Sequence, residues 1–370
     1  MKKFVSAPSN SQTVINYILL NFLLSGICTS MMRGAIALYS GSFEENVRYI
    51  IIFILLSTVG QIPLGIAADA FSNRHLLVQN SVMLVLIGFL FPQRFGLVFR
   101  VIIAGIGYAL FCASAGASLL SRTDSRKITG YAFFSSFCGI SSAVMMTRPI
   151  IGYPMIIVAM FVACAGDRKG VEYQNLIEAD EQKCQIACRT AKGKRSMKSI
   201  LPAVLLLTVG SYCLYFVYID NFLFFDLGKN YGRAVTAAVF CIGRTFGGAV
   251  IKKINPIYSG AFGAVLSAAL LIFGRASGSR TVMLLAAVFL GFAFSGYVSL
   301  MRETLGRRHS GIGVGLLSAP AALAYFSSQP YYGMLLPING AFRVIVLFAV
   351  SLLPFVYSFF NSFSAKSKKR

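Results

Sequence analysis

The chain has 370 residues, of which 56% are hydrophobic and only 12% are charged. A soluble protein of this composition could not hydrate its surface, so the sequence indicates an integral membrane protein. The formal net charge of +22 could suggest a nucleic-acid partner, but the basic residues are distributed as in a membrane protein, and no such partner is expected.

The hydrophobic residues are gathered in long runs separated by short polar breaks. A helix of roughly 20 residues crosses the ~30 Å hydrocarbon core of a bilayer, and twelve runs come near that length. The predicted spans are 12–40, 47–68, 76–92, 95–118, 128–146, 149–166, 199–225, 233–251, 258–276, 281–300, 310–336 and 341–361. The sequence therefore predicts an all-α polytopic membrane protein with twelve transmembrane helices.

The first span carries an ionisable residue, Arg33, in the half away from the amino terminus. A charged side chain inside a membrane is costly, and it commonly marks a transport pathway or an ion pair. Arginine is also long enough to reach the polar interface from within a span, so this simpler explanation stays open.

A polar motif lies between the second and third spans. Gly65 precedes Asp69 by four residues, and the basic residues Arg74 and His75 follow. The pattern resembles the loop between helices 2 and 3 of major facilitator superfamily transporters, Gly-x-x-x-Asp-x-x-Gly-x-Arg/Lys-Arg/Lys. Ser72 stands in place of the second glycine.

This resemblance implies the fold of that superfamily, two six-helix bundles, and a role for the motif in stabilising an outward-open state. It places Asp69 at the cytoplasmic face, near Ser310 and Gly311 at the start of the eleventh span. A basic residue such as Arg122 or Arg126 is expected beside the carboxylate. An ordinary charged turn is the alternative explanation.

A polar, charge-rich segment at 167–198 divides the chain into two sets of six spans. We predict an amino-terminal bundle at 1–166, a cytoplasmic linker at 167–198, a carboxy-terminal bundle at 199–361 and a basic tail at 362–370. Short breaks separate spans elsewhere, so this longer break is the natural boundary between two bundles.

The two halves repeat one plan. A shift of 183 residues places 60–65 over 243–248, at the end of the second span of each half. A shift of 181 residues places Gly130 over Gly311, at the break between the fourth and fifth spans of each half. Because six is even, both halves enter the membrane in the same direction. The sequence predicts a parallel repeat about a pseudo-twofold axis along the membrane normal.

Lysine and arginine are distributed unequally between the two sides of the predicted membrane. The side that holds both termini carries 23 of the 34, the opposite side carries 8, and three lie within spans. Cytoplasmic segments carry such an excess, so both termini are expected in the cytoplasm of a cell-membrane protein. The tail 362–370 could also contact anionic membrane lipid, although topology alone explains its charge.

Spans seven and eight each contain an ionisable residue, Asp220 and Arg244. In the superfamily the first helices of both halves line the central cavity. Arg33 and Asp220 could therefore meet as an outer gate, or share a site in which Arg33 holds a substrate anion and Asp220 binds the coupling proton. Both could instead reach the outer interface. Arg244, near the cytoplasmic end of its span, is expected to anchor at the membrane interface rather than contact substrate.

Aromatic residues are plentiful, with 32 Phe and 17 Tyr, and Trp is absent. Tyr17, Tyr215 and Tyr218 fall in the first and seventh spans, which would border the cavity in this fold. These three are therefore candidates for contact with an amphipathic solute, although most such rings pack against neighbouring helices.

No catalytic arrangement of Ser, His and Asp, no His/Cys metal set and no nucleotide-binding Gly-x-x-x-x-Gly-Lys-Ser/Thr loop is recognisable. We therefore expect neither an enzyme nor a bound metal or cofactor. The predicted function is secondary active transport of a small organic solute by alternating access, with the proton as the favoured coupling ion and a slight preference for a polar or anionic solute. Efflux of amphipathic compounds and a non-transporting sensor or scaffold are the alternatives. A monomer is expected.

Overall fold

The computed structural model describes residues 11–38, 43–71, 73–90, 96–121, 127–147, 151–164, 197–223, 232–251, 254–306, 309–328 and 340–367. Within these ranges the chain is almost entirely helical. Hydrocarbon offers no water to bind exposed N–H and C=O groups, so a spanning segment must satisfy its own backbone, as a helix does.

Twelve helices, named α1 to α12, make up the described part of the chain. They are α1, Ser11–Leu38; α2, which runs through Phe43–Ile54, a π-helical turn at Leu55–Val59 and Gln61–Ala70; α3, Arg74–Leu90; α4, Leu97–Ser121; α5, Lys127–Thr147; α6, Gly152–Cys164; α7, Met197–Tyr218 with a π-helical turn at Ile219–Leu223; α8, Gly232–Val250; α9, Pro256–Ser277; α10, Arg280–Leu305; α11, Ser310–Ser328; and α12, Gly340–Ser367. Eight spans within them are long and apolar enough to cross a membrane. The predicted spans are confirmed to within a few residues at most ends.

Helices α10 and α12 end beyond their predicted limits, α10 at Leu305 rather than at 300. Helix α12 runs to Ser367, past the predicted end at 361, because helical hydrogen bonding continues into the polar interface where the hydrocarbon stops. Helix α11 ends at Ser328 within the described residues, and 329–336 lie outside them. The predicted linker lies outside the described residues as far as 196, and α7 begins at Met197.

The ends of α9 illustrate how local sequence sets a helix boundary. The Asn255 side chain accepts a hydrogen bond from the N–H of Ile257 at 2.9 Å, and Pro256 occupies the first helical position. At the other end Gly278 adopts the left-handed conformation, with φ of 64°, and stops the helix. These signals act locally, which is why the boundary could be read from the sequence.

Each half of the chain is packed in the same way. In the first half α1 packs against α5 and α6, α3 against α4, and α2 against α4. The corresponding helices of the second half, six places later, make the corresponding contacts: α7 with α11 and α12, α9 with α10, and α8 with α10. This correspondence confirms the predicted parallel repeat.

The two halves meet along two helix pairs, α2 with α11 and α5 with α8, and α4 also packs against α11. Helix α1 begins and α12 ends on one side of the bundle, which we call the terminal face. Because successive helices alternate in direction, the end of α2 and the start of α11 lie on this same face. The site described below is built there.

Large apolar side chains lie both inside the bundle and on its outer surface. Leu24, Phe216 and Tyr297 are fully buried, whereas Phe161 is 72% and Phe360 65% exposed. An outer surface rich in exposed aromatic and aliphatic side chains is compatible with lipid rather than water. The chain is therefore a multi-pass membrane protein.

Candidate functional site at the terminal face

The halves are joined at the terminal face by Asp69, near the end of α2. Its Oδ1 accepts a hydrogen bond from the backbone N–H of Gly311 at 2.8 Å, and its Oδ2 accepts one from the N–H of Ile312 at 3.0 Å. Both donors belong to the first turn of α11, where N–H groups lack partners within the helix and the helix dipole favours a negative charge. A carboxylate of one half thus caps a helix of the other.

Glycines allow the backbones of α2 and α11 to touch. A Cβ on Gly65 would overlap the carbonyl group of Gly311, and a Cβ on Gly315 would lie 2.6 Å from the carbonyl oxygen of Gln61. Larger residues would therefore separate the two helices. The close approach of the backbones brings Asp69 within hydrogen-bonding distance of α11.

Two arginines bind the end of α4 at the same face. Arg74 donates from Nη2 to Asp69 Oδ1 at 3.1 Å and from Nη1 to the carbonyl of Ala117 at 3.4 Å. Arg302, from α10 of the other half, donates from Nε to the carbonyl of Leu120 at 2.7 Å. The last carbonyls of a helix carry the negative end of its dipole, so both cations stabilise α4 there. Arg302 also adds a second link between the halves.

The α5–α8 interface carries a related contact. The Thr129 hydroxyl donates to the carbonyl of Gly248 at 3.1 Å. Under the internal repeat Gly248 corresponds to Gly65, and Gly130, the residue after Thr129, corresponds to Gly311. Both interfaces between the halves therefore close at equivalent small residues near the terminal face.

The basic residues of the predicted motif are placed as follows. Arg74 forms an ion pair with Asp69, and the two side chains are 11% and 8% exposed. The other basic residues considered for this role, Arg122 and Arg126, lie outside the described residues. His75 is half-buried on α3. The contact consists of hydrogen bonds and one ion pair, which can break and re-form without covalent change.

Asp220 lies in the π-helical turn at the far end of α7 and is half-buried. Its neighbour Asn221 is buried; Nδ2 donates to the carbonyl of Val217 at 2.8 Å, and Oδ1 has no hydrogen-bond partner in the described part of the chain. Turns of this kind occur frequently at functional sites. The Arg33 side chain lies outside the described residues, so its pairing with Asp220 stays a prediction.

The aromatic candidates fall in different halves. Tyr17 is buried in α1. Tyr215 and Tyr218 of α7 form an aromatic cluster with Phe240 of α8 and Phe294 of α10. Ring centroids lie 4.6 Å apart for Tyr215 and Phe294, and 4.5 Å apart for Tyr218 and Phe240. These are stacking and edge distances, so the rings pack on one another.

The prediction that Arg244 anchors at the membrane interface is wrong. Arg244 is 5% exposed, and its guanidinium carbon lies 5.4 Å from the centroid of the Phe294 ring. The Ser295 hydroxyl donates to the Arg244 carbonyl at 2.6 Å, and a Cβ on Gly243 would overlap the carbonyl of Val288. This tight packing on α10 fixes the rotation of α8 and turns Arg244 inward.

A polar network inside the first half was not predicted. Asn21 of α1 donates from Nδ2 to the carbonyl of Phe134 on α5 at 2.5 Å and accepts from the Tyr108 hydroxyl of α4 at 3.0 Å. The Ser25 hydroxyl donates to the Cys138 carbonyl at 2.9 Å. The sequence signal was the amide of Asn21 within an apolar run, which does not identify its partners.

Within the described ranges no three His, Cys, Asp or Glu side chains are grouped so that they could hold a metal ion. No protein-family model matches the chain. No curated protein matches it either.

Solved structures resemble the whole chain. A variant of the E. coli fucose:proton symporter FucP aligns with a TM-score of 0.61 at 14% identity, over 94% of this chain and 99% of its own. The proton:xylose symporter XylE, which is from E. coli, aligns with a TM-score of 0.63 at 13% identity, over 95% of this chain and 96% of its own. A bacterial homologue of the iron transporter ferroportin, in an outward-facing state, aligns with a TM-score of 0.57 at 15% identity, over 93% and 98%. With twelve helices in two parallel repeats and these likenesses over nearly its full length, the chain has the fold of the major facilitator superfamily.

Proposed function

We propose that the protein is a secondary active transporter, and not an enzyme, that exposes a central site alternately to the two sides of the membrane. The observation that carries this proposal is the cap that Asp69 of one half forms on α11 of the other. A few hydrogen bonds hold the halves together at one face, so breaking them frees the halves to separate there. The similar structures FucP and XylE are described as sugar:proton symporters, which supports transport.

We place the terminal face in the cytoplasm of a cell membrane, following the excess of Lys and Arg in its segments. In this orientation Gly65, Asp69, Arg74 and His75 belong to a cytoplasmic gate, and the arrangement with the Asp69 cap formed is closed to the cytoplasm. Opening this gate requires α2 to move away from α11. We expect a monomer whose basic tail lies near the anionic lipid surface.

The cargo we propose is a small polar or anionic organic solute, coupled to the proton. Asp220 is the proposed proton acceptor, because it is a half-buried carboxylate in a π-helical turn of α7. Arg33, in α1, is its proposed partner at the outer side. Transport that is unchanged both by Asp220→Asn and by a collapsed proton gradient would remove the coupling proposal.

Efflux of amphipathic compounds is the second candidate function, and the aromatic cluster favours it. Rings of Tyr215, Tyr218, Phe240 and Phe294 offer an apolar surface between α7, α8 and α10. This candidate differs from the first in the class of solute and specifies export, so one experiment separates them.

The test is flux into and out of proteoliposomes that contain the purified protein, under an imposed pH gradient. The probes are a mixture of small organic acids, neutral sugars and amphipathic cations, each quantified by mass spectrometry. We expect gradient-dependent accumulation of an acid or a sugar, with a lower rate for Asp69→Asn at equal protein content. Extrusion of the amphipathic cations alone would indicate efflux, and no flux of any probe above protein-free vesicles would indicate a scaffold.

A further inference from the structure

A buried arginine that pairs with no carboxylate among the described residues lies where the two halves meet. Arg244 of α8 is 5% exposed, and its Nε has no hydrogen-bond partner among the described side chains and backbone. Helix α8 packs against α5 of the first half, and the Arg244 guanidinium lies near Tyr131 and Cys138 of α5 and is hydrogen-bonded to the Tyr215 side chain of α7. The Arg244 side chain therefore lies at the boundary between the two halves.

The burial of this charge calls for an anion. Removing a guanidinium from water is costly unless an opposite charge and hydrogen bonds replace the lost solvent. The ion pair that Asp69 forms with Arg74 lies at the terminal face, and the described groups beside Arg244 are neutral hydroxyls, thiols and rings. Phe294 supplies a cation–π contact, which compensates the charge only in part.

The position of Arg244 suits a transported solute. Gly248, which accepts the hydrogen bond from Thr129, follows Arg244 by four residues, so the guanidinium belongs to the turn about 6 Å further into the membrane. Separation of α5 from α8 would uncover it. A residue at this depth, between helices of opposite halves, is enclosed when the halves are closed and becomes accessible when they part.

We propose that Arg244 binds the anionic group of the solute, and that the solute is an organic monocarboxylate whose apolar or aromatic body contacts the aromatic cluster. A planar guanidinium pairs with one planar carboxylate through two parallel hydrogen bonds, which favours a single carboxyl group. The rings of Tyr215 and Phe294 beside it favour an apolar body. This proposal rests on the proposed transport function and specifies its substrate class.

The first test is binding to the purified full-length protein, measured as the shift of the thermal unfolding midpoint with increasing probe. The probes are benzoate and phenylacetate, compared with the neutral isosteres benzamide and phenylacetamide. We expect the carboxylates to raise the midpoint and the amides to leave it unchanged. Arg244→Gln should weaken carboxylate binding by about 10- to 100-fold, since it removes a charge-assisted hydrogen-bond pair. The carboxylate affinity of Arg244→Lys should lie between those of the wild-type protein and of Arg244→Gln, because lysine keeps the charge but lacks the planar guanidinium.

Arg275→Gln is the matched control, because Arg275 is an exposed arginine at the end of α9 and should not affect binding. Failure of both carboxylates to stabilise the wild-type protein, equal effects of carboxylates and amides, or unchanged binding in Arg244→Gln would each overturn the proposal.

The unliganded variants separate binding from structure. Arg244→Gln removes a buried charge that forms no ion pair with a described carboxylate, so its unfolding midpoint should stay unchanged or rise, whereas an arginine with a purely structural role would give a lower midpoint. If Arg244→Gln does not fold, the proposal is tested with Arg244→Lys, which should bind the carboxylates more weakly than the wild-type protein does.

Flux of the same probes into proteoliposomes separates this proposal from the transport proposal. Carboxylate binding through Arg244 without any flux would support the proposed binding site and contradict the proposed transport function. Flux of other solutes that is unchanged by Arg244→Gln, without carboxylate binding, would retain transport and reject the site.

Discussion

Asp69→Asn is the substitution that tests the terminal-face contact most directly. The carboxylate accepts from two backbone N–H groups of α11 and from Arg74. An asparagine keeps one acceptor oxygen, but its amide group would point a donor at the second N–H, and the negative charge at the helix N-terminus is lost. A hydrogen bond to a charged group contributes about 1.5–3 kcal/mol, and a charge at a helix end contributes about 0.3–2 kcal/mol.

Together these losses should weaken the closed arrangement by roughly 3 kcal/mol, which is a change of roughly 100-fold in the ratio of closed to open molecules. A terminal face that is nearly always closed in the wild type would then become a mixture of comparable populations. The effect is on the equilibrium between two folded states, so the protein should still be produced and inserted.

The assay is the distance between spin labels at Phe71→Cys and His309→Cys, in a chain whose eight native cysteines have been replaced. Both positions are exposed, directly after α2 and directly before α11. We expect one short distance in the wild type and a second, longer distance in Asp69→Asn, with a lower rate of flux in proteoliposomes.

Glu303→Gln is the control for net charge, because it removes an exposed carboxylate near the same face. Equal changes in Glu303→Gln and Asp69→Asn would attribute the shift to net charge rather than to the cap. A single short distance in folded Asp69→Asn protein, with unchanged uptake kinetics, would refute the reasoning.

Two further substitutions test the same contact with the same pair of labels. Gly65→Ala places a methyl group against the Gly311 carbonyl and should destabilise the closed form by about 1–3 kcal/mol, as overpacking does. Gly139→Ala is the control and should have no effect, because a Cβ there has nothing within 4 Å. Equal label distances in the two variants would contradict the argument from packing. Arg302→Gln removes the charged hydrogen bond to the Leu120 carbonyl and should also favour the open form, by about 1–2 kcal/mol, which is less than the effect of Asp69→Asn. A larger shift than that of Asp69→Asn would mean that Arg302 dominates the closure.

Some features of the site could be read from the residues and others could not. Asp69 lies at the start of α11, where the resemblance of its loop placed it. Its described basic partner is Arg74, five residues along the chain. The expected contact with Arg122 or Arg126, in the loop after the fourth span, falls outside the described residues and stays a prediction. The orientation of Arg244 was predicted wrongly, since an arginine near a helix end can face either the interface or the interior.

The sequence by itself determined the number of helices and, to within a few residues at most ends, their limits, because hydrophobic length and local capping residues act within a segment. It also determined the parallel repeat, because the order of the spans and the spacing of small residues are recorded along the chain. Only the tertiary structure decided which way each helix turns its polar side chains. Lipid and protein interior are both apolar, so a spanning helix has little amphipathic pattern to reveal its inner face. The rotation is set instead by glycine contacts between helices distant in sequence, such as Gly65 with Gly311 and Gly243 with Val288.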